Sequence, residues 1–285
     1  MARGLKFLRL AAGLAVIPFA AFLSASPALA ATAPSLGSAV GFAVLGASTV
    51  TCTGASAITG DVGVSPGSAI TGFPPCTLTG TLHAGDALAK QAQKDATTAY
   101  NSAASAKPCT SLTGQDLGGM TLPPGVYCFS SSAQLTGTLN LSGGGVYIFQ
   151  IGSTLTTATD SSVVDGSTQS CDASSNVFWQ VGSSATIGTG TAFAGNILAL
   201  ASITMVKGAT LNGRAIALTA AVTMDTNTIV ACGQTNGGGH ESQSKCNQGV
   251  GNGPEGCDPG NSNNKNSSND ENGGTPGNPG RQGKK

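Results

Sequence analysis

ASITMVKGATLNGRAIALTAAVTMDTNTIVAC, residues 201–232, is the stretch whose reading decides the architecture. Its only charges are Lys207, Arg214 and Asp225, and Gly and Asn break it into short runs of small apolar residues and threonine. It also repeats. Ala185-Thr186-Ile187, Ile203-Thr204-Met205 and Val222-Thr223-Met224 are equivalent triplets, eighteen and then nineteen residues apart. Between them, Ala209-Thr210-Leu211 matches Asn227-Thr228-Ile229, and Asn196-Ile197-Leu198-Ala199-Leu200 matches Arg214-Ala215-Ile216-Ala217-Leu218. Further back, VYIFQIGSTL (146–155) is similar to VFWQVGSSATI (177–187).

Three short strands in a period near twenty residues predict a β-solenoid, in which each coil stacks on the one before it through backbone hydrogen bonds. Side-chain alternation turns Ile203, Met205, Val222 and Met224 inward and Thr204 and Thr223 outward. The strands GNILALA and GRAIALT are apolar or small at nearly every position, so both of their faces should be buried. Ala199 and Ala217 are expected on the outer side of that strand type, leaving room for an element to pack closely.

One segment has helical spacing. In HAGDALAKQAQKDATTAYNSAAS (83–105), Leu88, Ala92, Ala96, Ala99, Tyr100 and Ala103 recur at intervals of three and four, and Lys107-Pro108 supplies a stop. A single helix over 83–106 is therefore expected, its alanine face laid against the apolar strands.

The chain ends are of a different kind. MARGLKFLRLAAGLAVIPFAAFLSASPALA (1–30) has the basic start, apolar middle and small-residue cleavage site of an export signal, and its apolar run is short for a bilayer span. The protein is expected to be secreted, extracellular or cell-surface associated, without membrane insertion. From 233 to 285 the composition turns to Gly, Asn, Ser and Pro, too polar to offset the entropy of ordering, which predicts a flexible tail able to tether the protein to a cell surface. The solenoid domain is thus expected over 31–232.

Composition excludes several functions. Only 9% of residues are charged and 5% aromatic, and the chain has 42 Gly. The 13 basic residues divide as three in the signal, five in the body and five in the tail, so no clustered patch for nucleic acid exists. The body carries Asp61, Asp86, Asp95, Asp116, Asp160, Asp165, Asp172 and Asp225 but no Glu; these are scattered through turns and the helix, and no catalytic motif accompanies them. An enzyme is not expected, nor a cofactor. No CxxC pair is present and the histidines are only His83 and His240, so a metal site is not expected either. The eight cysteines, in an exported chain, point to disulfides. Sequence neighbours make Cys52 with Cys76, Cys109 with Cys128, and Cys246 with Cys257 the candidate pairs, and spacing alone leaves other connectivities open.

What the solenoid offers instead is a ladder of outward threonines: Thr154, Thr186, Thr204 and Thr223 on one face, Thr210 and Thr228 on another. Coils lie about 4.8 Å apart and alternate residues of a strand about 6.7 Å apart, which sets methyls and hydroxyls on a rigid two-dimensional grid. Such a grid can hold water in an ordered layer like a plane of ice. The residues two places before the column are Gly152, Ser184, Ser202 and Ala221, small enough to keep the face flat.

The stretches LGSAVGFAVLGASTVTCTGASAITGDVGVSPGSAITGF (36–73), DALAKQAQKDATTAY, LPPGVYCF (122–129), GGVYIFQIGSTL (144–155), NVFWQVGSSATIGTGTAFAGNILA (176–199) and GATLNGRAIALTAAVTMDTNTI (208–229), in that order, resemble the DUF3494-type ice-binding (antifreeze) family. The resemblance implies a right-handed discontinuous β-solenoid of triangular cross-section, with one long α-helix packed alongside and the N-terminal strands closing the fold beside the final coils. It also implies an ice crystal surface as the partner. The candidate ice-binding residues are Thr154, Thr186, Ser202, Thr204, Ala221 and Thr223, with Thr210 and Thr228 as the competing face. An adhesin or matrix protein binding carbohydrate or protein through the same solenoid is the reading from a different class.

Overall fold

The computed structural model describes Met1, residues 31–165 and residues 176–231. The export signal expected over 1–30, the tail over 233–285, and Cys171, Cys232, Cys246 and Cys257 lie outside the described residues.

From Gly125 onward the chain winds through three-sided coils. The first three-strand turn, Gly125–Phe129, Ala133–Leu135 and Thr138–Leu141, pairs in parallel with Tyr147–Ile151, Leu155–Thr157 and Ser162–Asp165. Val177–Val181 and Ala185–Ile187 continue the stack. The next two strands, Ala192–Ala199 and Thr210–Ala217, are long because each runs around a corner of the triangle, pairing in register over its whole length from Ala192 with Thr210 to Ala199 with Ala217. Glycine makes that corner. Gly195 has φ +112°, and a Cβ on it would lie 2.8 Å from Trp179 Nε1; Gly213, its partner one coil on, has φ +144° and would meet the Gly195 carbonyl oxygen.

The solenoid is discontinuous, as the resemblance implied. The first strands in sequence stack on the last: Val44 pairs with Ala215, Val50 with Val222 and Ile58 with Ile229, and one further coil, from Asp61 to Ala84, follows them. A buried side chain holds this junction: Arg214 donates from Nη1 to Asn196 Oδ1 at 2.8 Å and from Nη2 and Nε to the Val40 carbonyl at 2.7 and 3.0 Å, tying the segment before Phe42 to the late coils. Burial lowers its pKa to about 10, which still leaves it charged at neutral pH.

Inside the triangle Tyr127, Phe149 and Trp179 stack in consecutive coils, with centroids 5.4 and 4.0 Å apart, and Phe193 tilts onto Trp179. The indole N–H donates to the Ala194 carbonyl at 2.9 Å. Disulfides join Cys52 to Cys76 and Cys109 to Cys128, the pairs favoured by sequence proximity.

The helix runs from Ala87 to Ser105, starting later than the expected 83. Leu82–Ala84 is instead the last strand of the N-terminal coils, and Asp86 caps the helix by accepting from the Ala89 N–H at 2.8 Å. At the other end Gln150 Nε2 donates to the carbonyls of Ala103 and Ala106, supplementing the weak 3.3 Å bond from the Ala106 N–H to Ala103 that closes the helix. Ala89, Ala92, Ala96, Ala99 and Ala103 are fully buried against Phe42, Leu45, Val126, Ile148, Phe178, Leu198 and Ile216. The expected orientation of Ala199 and Ala217 is therefore corrected. They point into the core with Ile197 and Ala215, and Leu198 and Ile216 face the helix. Close approach comes from alanine on the helix, not on the strand.

Candidate functional site

Of the three faces one lies under the helix, and the other two carry the expected threonines. The first of these is a seven-stranded parallel sheet, in the order Ala133–Leu135, Leu155–Thr157, Ala185–Ile187, Ile203–Met205, Val222–Asp225, Thr49–Thr53 and Ala69–Thr71. In the first five of these strands the middle residue of the triplet turns outward between two buried ones; Val50, Thr51 and Cys52 keep that phase, and in the last strand Ala69 and Thr71 are exposed while Ile70 between them packs on the core. Ile203 and Met205 are buried, for example, while Thr204 between them is half-buried among its neighbours on the surface.

Register then aligns Gln134, Thr156, Thr186, Thr204, Thr223, Thr51 and Thr71 in one outward column. Thr186, Thr204 and Thr223 stand where the sequence placed them. Thr154 does not. The residue opposite Thr186 is Thr156, and Thr154 sits in the adjoining column, where its hydroxyl donates to Ser132 Oγ at 2.8 Å. The signal was present: aligning Gly152-Ser153 with Gly182-Ser183 puts Thr156, not Thr154, opposite Thr186. Thr49, Thr51, Ala69 and Thr71 were missed altogether, because their place on this face depends on the first strands stacking beside the last.

The adjoining column is made of Ser132, Thr154, Ser184, Ser202, Ala221, Thr49 and Ala69. Gly152, expected there, lies at the turn before it, and the small-residue expectation holds for Ser202 and Ala221. The columns differ in hydrogen bonding. Ser184 and Ser202 share a bond of 3.0 Å, as Thr154 and Ser132 do, so these hydroxyls partly satisfy one another. Among the described residues, none of the hydroxyls of Thr51, Thr71, Thr156, Thr186, Thr204 or Thr223 has a hydrogen-bond partner within the protein. With coils about 4.8 Å apart and the columns about 6.7 Å apart, the result is a regular lattice of methyls and unpartnered hydroxyls whose β-branched stems hold them in place.

Charge stays at the rim of this sheet. Asp225 extends past Thr223 at one edge, paired with Thr53. At the end of the stack Asp116 bridges to Gln134. Partial burial acts to raise the Asp116 pKa, but amide hydrogen bonds from Gly118 and Thr136, at 2.7 and 2.9 Å, outweigh it and hold the carboxyl below its usual value.

The face of Thr210 and Thr228 is less regular. Its outward column reads Thr138, Ser162, Ala192, Thr210, Thr228, Ala57 and Thr77, and the next reads Asn140, Val164, Ala194, Asn212, Val230, Thr59 and Thr79. Valine and asparagine there replace threonine at four positions. Thr138 and Ser162 are bonded to each other at 2.9 Å, and a shallow depression opens among Ala192, Ala194, Thr210 and Asn212.

Among the described residues two carboxylates, Asp61 and Asp86, approach the same side chain, His83, from 3.8 and 2.7 Å, and the others stand apart. Asp86 is committed to the helix cap and to His83, 2.7 Å away, and Asp95 to the Ser38 N–H. Among the described residues no group of three or more His, Cys, Asp or Glu could hold a metal ion.

A family model described as ice-binding-like matches residues 44–230, which is nearly the whole described solenoid. An ice-binding protein of Nostoc sp. (strain HG1) is 56% identical over 221 residues, covering 76% of this chain and 80% of that protein. One from Flavobacterium frigoris (strain PS1) is 34% identical over 210 residues, covering 68% and 75%. Among solved structures, an ice-binding protein from an Antarctic biological consortium superposes with a TM-score of 0.66 at 48% identity, covering 70% of this chain and 91% of that one.

Proposed function

Because the chain belongs to the ice-binding-like family, we propose that it adsorbs to ice crystals through the seven-stranded threonine face. The observation that carries this assignment is the unbroken run of six in-register threonines, Thr156, Thr186, Thr204, Thr223, Thr51 and Thr71, whose hydroxyls have no partner within the described protein. A hydroxyl without an internal partner bonds to water. Methyl groups on the same stiff stems confine the water between rows. Together they hold a layer of water at a fixed spacing, and that layer freezes into the crystal and anchors the protein. The growth front then bulges between adsorbed molecules, so ice growth and recrystallisation are inhibited.

The less regular face, with Thr210 and Thr228, takes the lesser part in this reading because its columns are interrupted and dented. Substitution separates the two. Thr204→Tyr raises a bulky ring in the middle of the lattice and is expected to abolish most of the ice-growth arrest measured by nanolitre osmometry, with the melting temperature unchanged. Full arrest in a folded Thr204→Tyr protein would remove this face from consideration.

We infer also that residues 1–30 direct export and that 233–285, rich in Gly, Asn, Ser and Pro, serve to tether the domain to a cell surface. Mature protein recovered outside the cell with Ala31 at its N-terminus is the expected result. Retention inside the cell with residues 1–30 intact would contradict it.

A further inference from the structure

The two ends of the threonine column differ. At the end formed by the N-terminal coils the column runs to the last strand of the sheet, finishing at Thr71. At the other it stops one strand short: the outward residue of Ala133–Leu135 is Gln134, and beyond it comes Asp116. Nothing else about that strand is defective. Ala133 and Leu135 are buried like their counterparts, the strand pairs in register with Leu155–Thr157, and the Ala133 N–H donates to the Thr154 carbonyl at 2.9 Å. Ser132 occupies the adjoining column and accepts from Thr154. The strand is built as part of the lattice and departs from it at one exposed side chain.

The geometry points to Gln134 as the residue that ends the ice-contacting array, restricting adsorption to six of the seven available strands. This inference rests on the threonine face being the adsorbing one. Glutamine has three rotatable side-chain bonds and a strongly hydrated amide, where threonine has one short, stiff branch. An exposed amide therefore reaches above the plane of the methyls and keeps a mobile shell of water over its strand. Asp116 beyond it, a carboxylate, continues that liquid-like hydration outward. Ice lying flat on Thr156 meets the amide at the next step, about 4.8 Å away.

The test is a gain of function. Gln134→Thr adds the missing hydroxyl and methyl, and Gln134→Val removes the amide and introduces the β-branched shape of threonine without its hydroxyl. At equal molar concentration, Gln134→Thr is expected to raise thermal hysteresis about 1.2-fold or more, since seven contacting strands replace six. Gln134→Val is expected to rise by less, and neither variant should shift the melting temperature appreciably, since the site is exposed. A folded Gln134→Thr protein no better than the parent would overturn the inference. Thr204→Tyr, measured alongside, distinguishes the failures: if it loses activity while Gln134→Thr gains none, only the role of Gln134 falls, and if it keeps full activity the face itself is misassigned.

Discussion

The helix face and the threonine face are built by the same coils from parallel strands, yet one is covered and the other bare. Within a single turn of chain, Leu198 lies beneath the helix and Thr204, six residues later, stands on the open sheet. Each Leu, Ile or Phe buried under the helix contributes about 1.5–3 kcal/mol, so a row of them requires a cover, and the alanine stripe of the helix provides a close one. Threonines in a row impose no such requirement. Their methyls are small, and their hydroxyls, lacking internal partners, are served by water. The comparison teaches that the proposed ice-binding surface is the regular sheet that the described chain neither covers nor satisfies from within.

Substitutions that exchange the characters of the two faces break the comparison most severely. Ala96→Asp places a carboxylate in the sealed interface under the helix and is expected to cost at least about 4 kcal/mol, read as loss of the folded state in chemical denaturation. Thr204→Tyr is the counterpart on the open face. Its expected stability change is within about 0.5 kcal/mol, while most of the ice-growth arrest disappears. An intermediate effect sharpens the contrast at the helix start, where the amide hydrogen bond from Ala89, and next the bond to His83, holds the Asp86 carboxyl below its ordinary value of 3.8. Asp86→Ala should lower stability by about 1 kcal/mol with ice adsorption unchanged. For a carboxyl whose folded pKa is depressed, the linked stability is present above the unfolded pKa and lost as pH falls through the folded one. The melting temperature should therefore drop on acidification below about pH 4, and by less in Asp86→Ala. Thr228→Tyr, on the interrupted face, should leave both stability and ice-growth arrest close to the parent's.

Much of this was legible in the sequence, and the parts that were not share a physical cause. Alternation told inward from outward wherever the two sides differ in polarity, as in Ile203-Thr204-Met205. It failed at Leu198-Ala199 and Ile216-Ala217, where the row under the helix is as apolar as the row in the core and nothing marks the phase. The helix was clear from its alanine spacing, but its start was drawn too early, because Leu82–Ala84 has the composition of either element and only pairing with Asp61–Val64 makes it a strand. On the threonine face Thr186, Thr204 and Thr223 were legible from the repeat. Thr156 was displaced by a slip of two residues, which preserves the outward phase and so leaves no contradiction in the pattern. Thr51 pairs with Thr223, more than a hundred residues away in sequence, and Thr71 joins the column only through Thr51, so the place of both follows only from three-dimensional stacking.

Partition into a slowly grown ice ball tests the central claim most directly, with the parent protein, Thr204→Tyr and Thr228→Tyr present in the same dilute solution. The parent and Thr228→Tyr should concentrate in the ice and Thr204→Tyr should remain in the liquid. Equal capture of all three, or exclusion of the parent itself, would contradict the account.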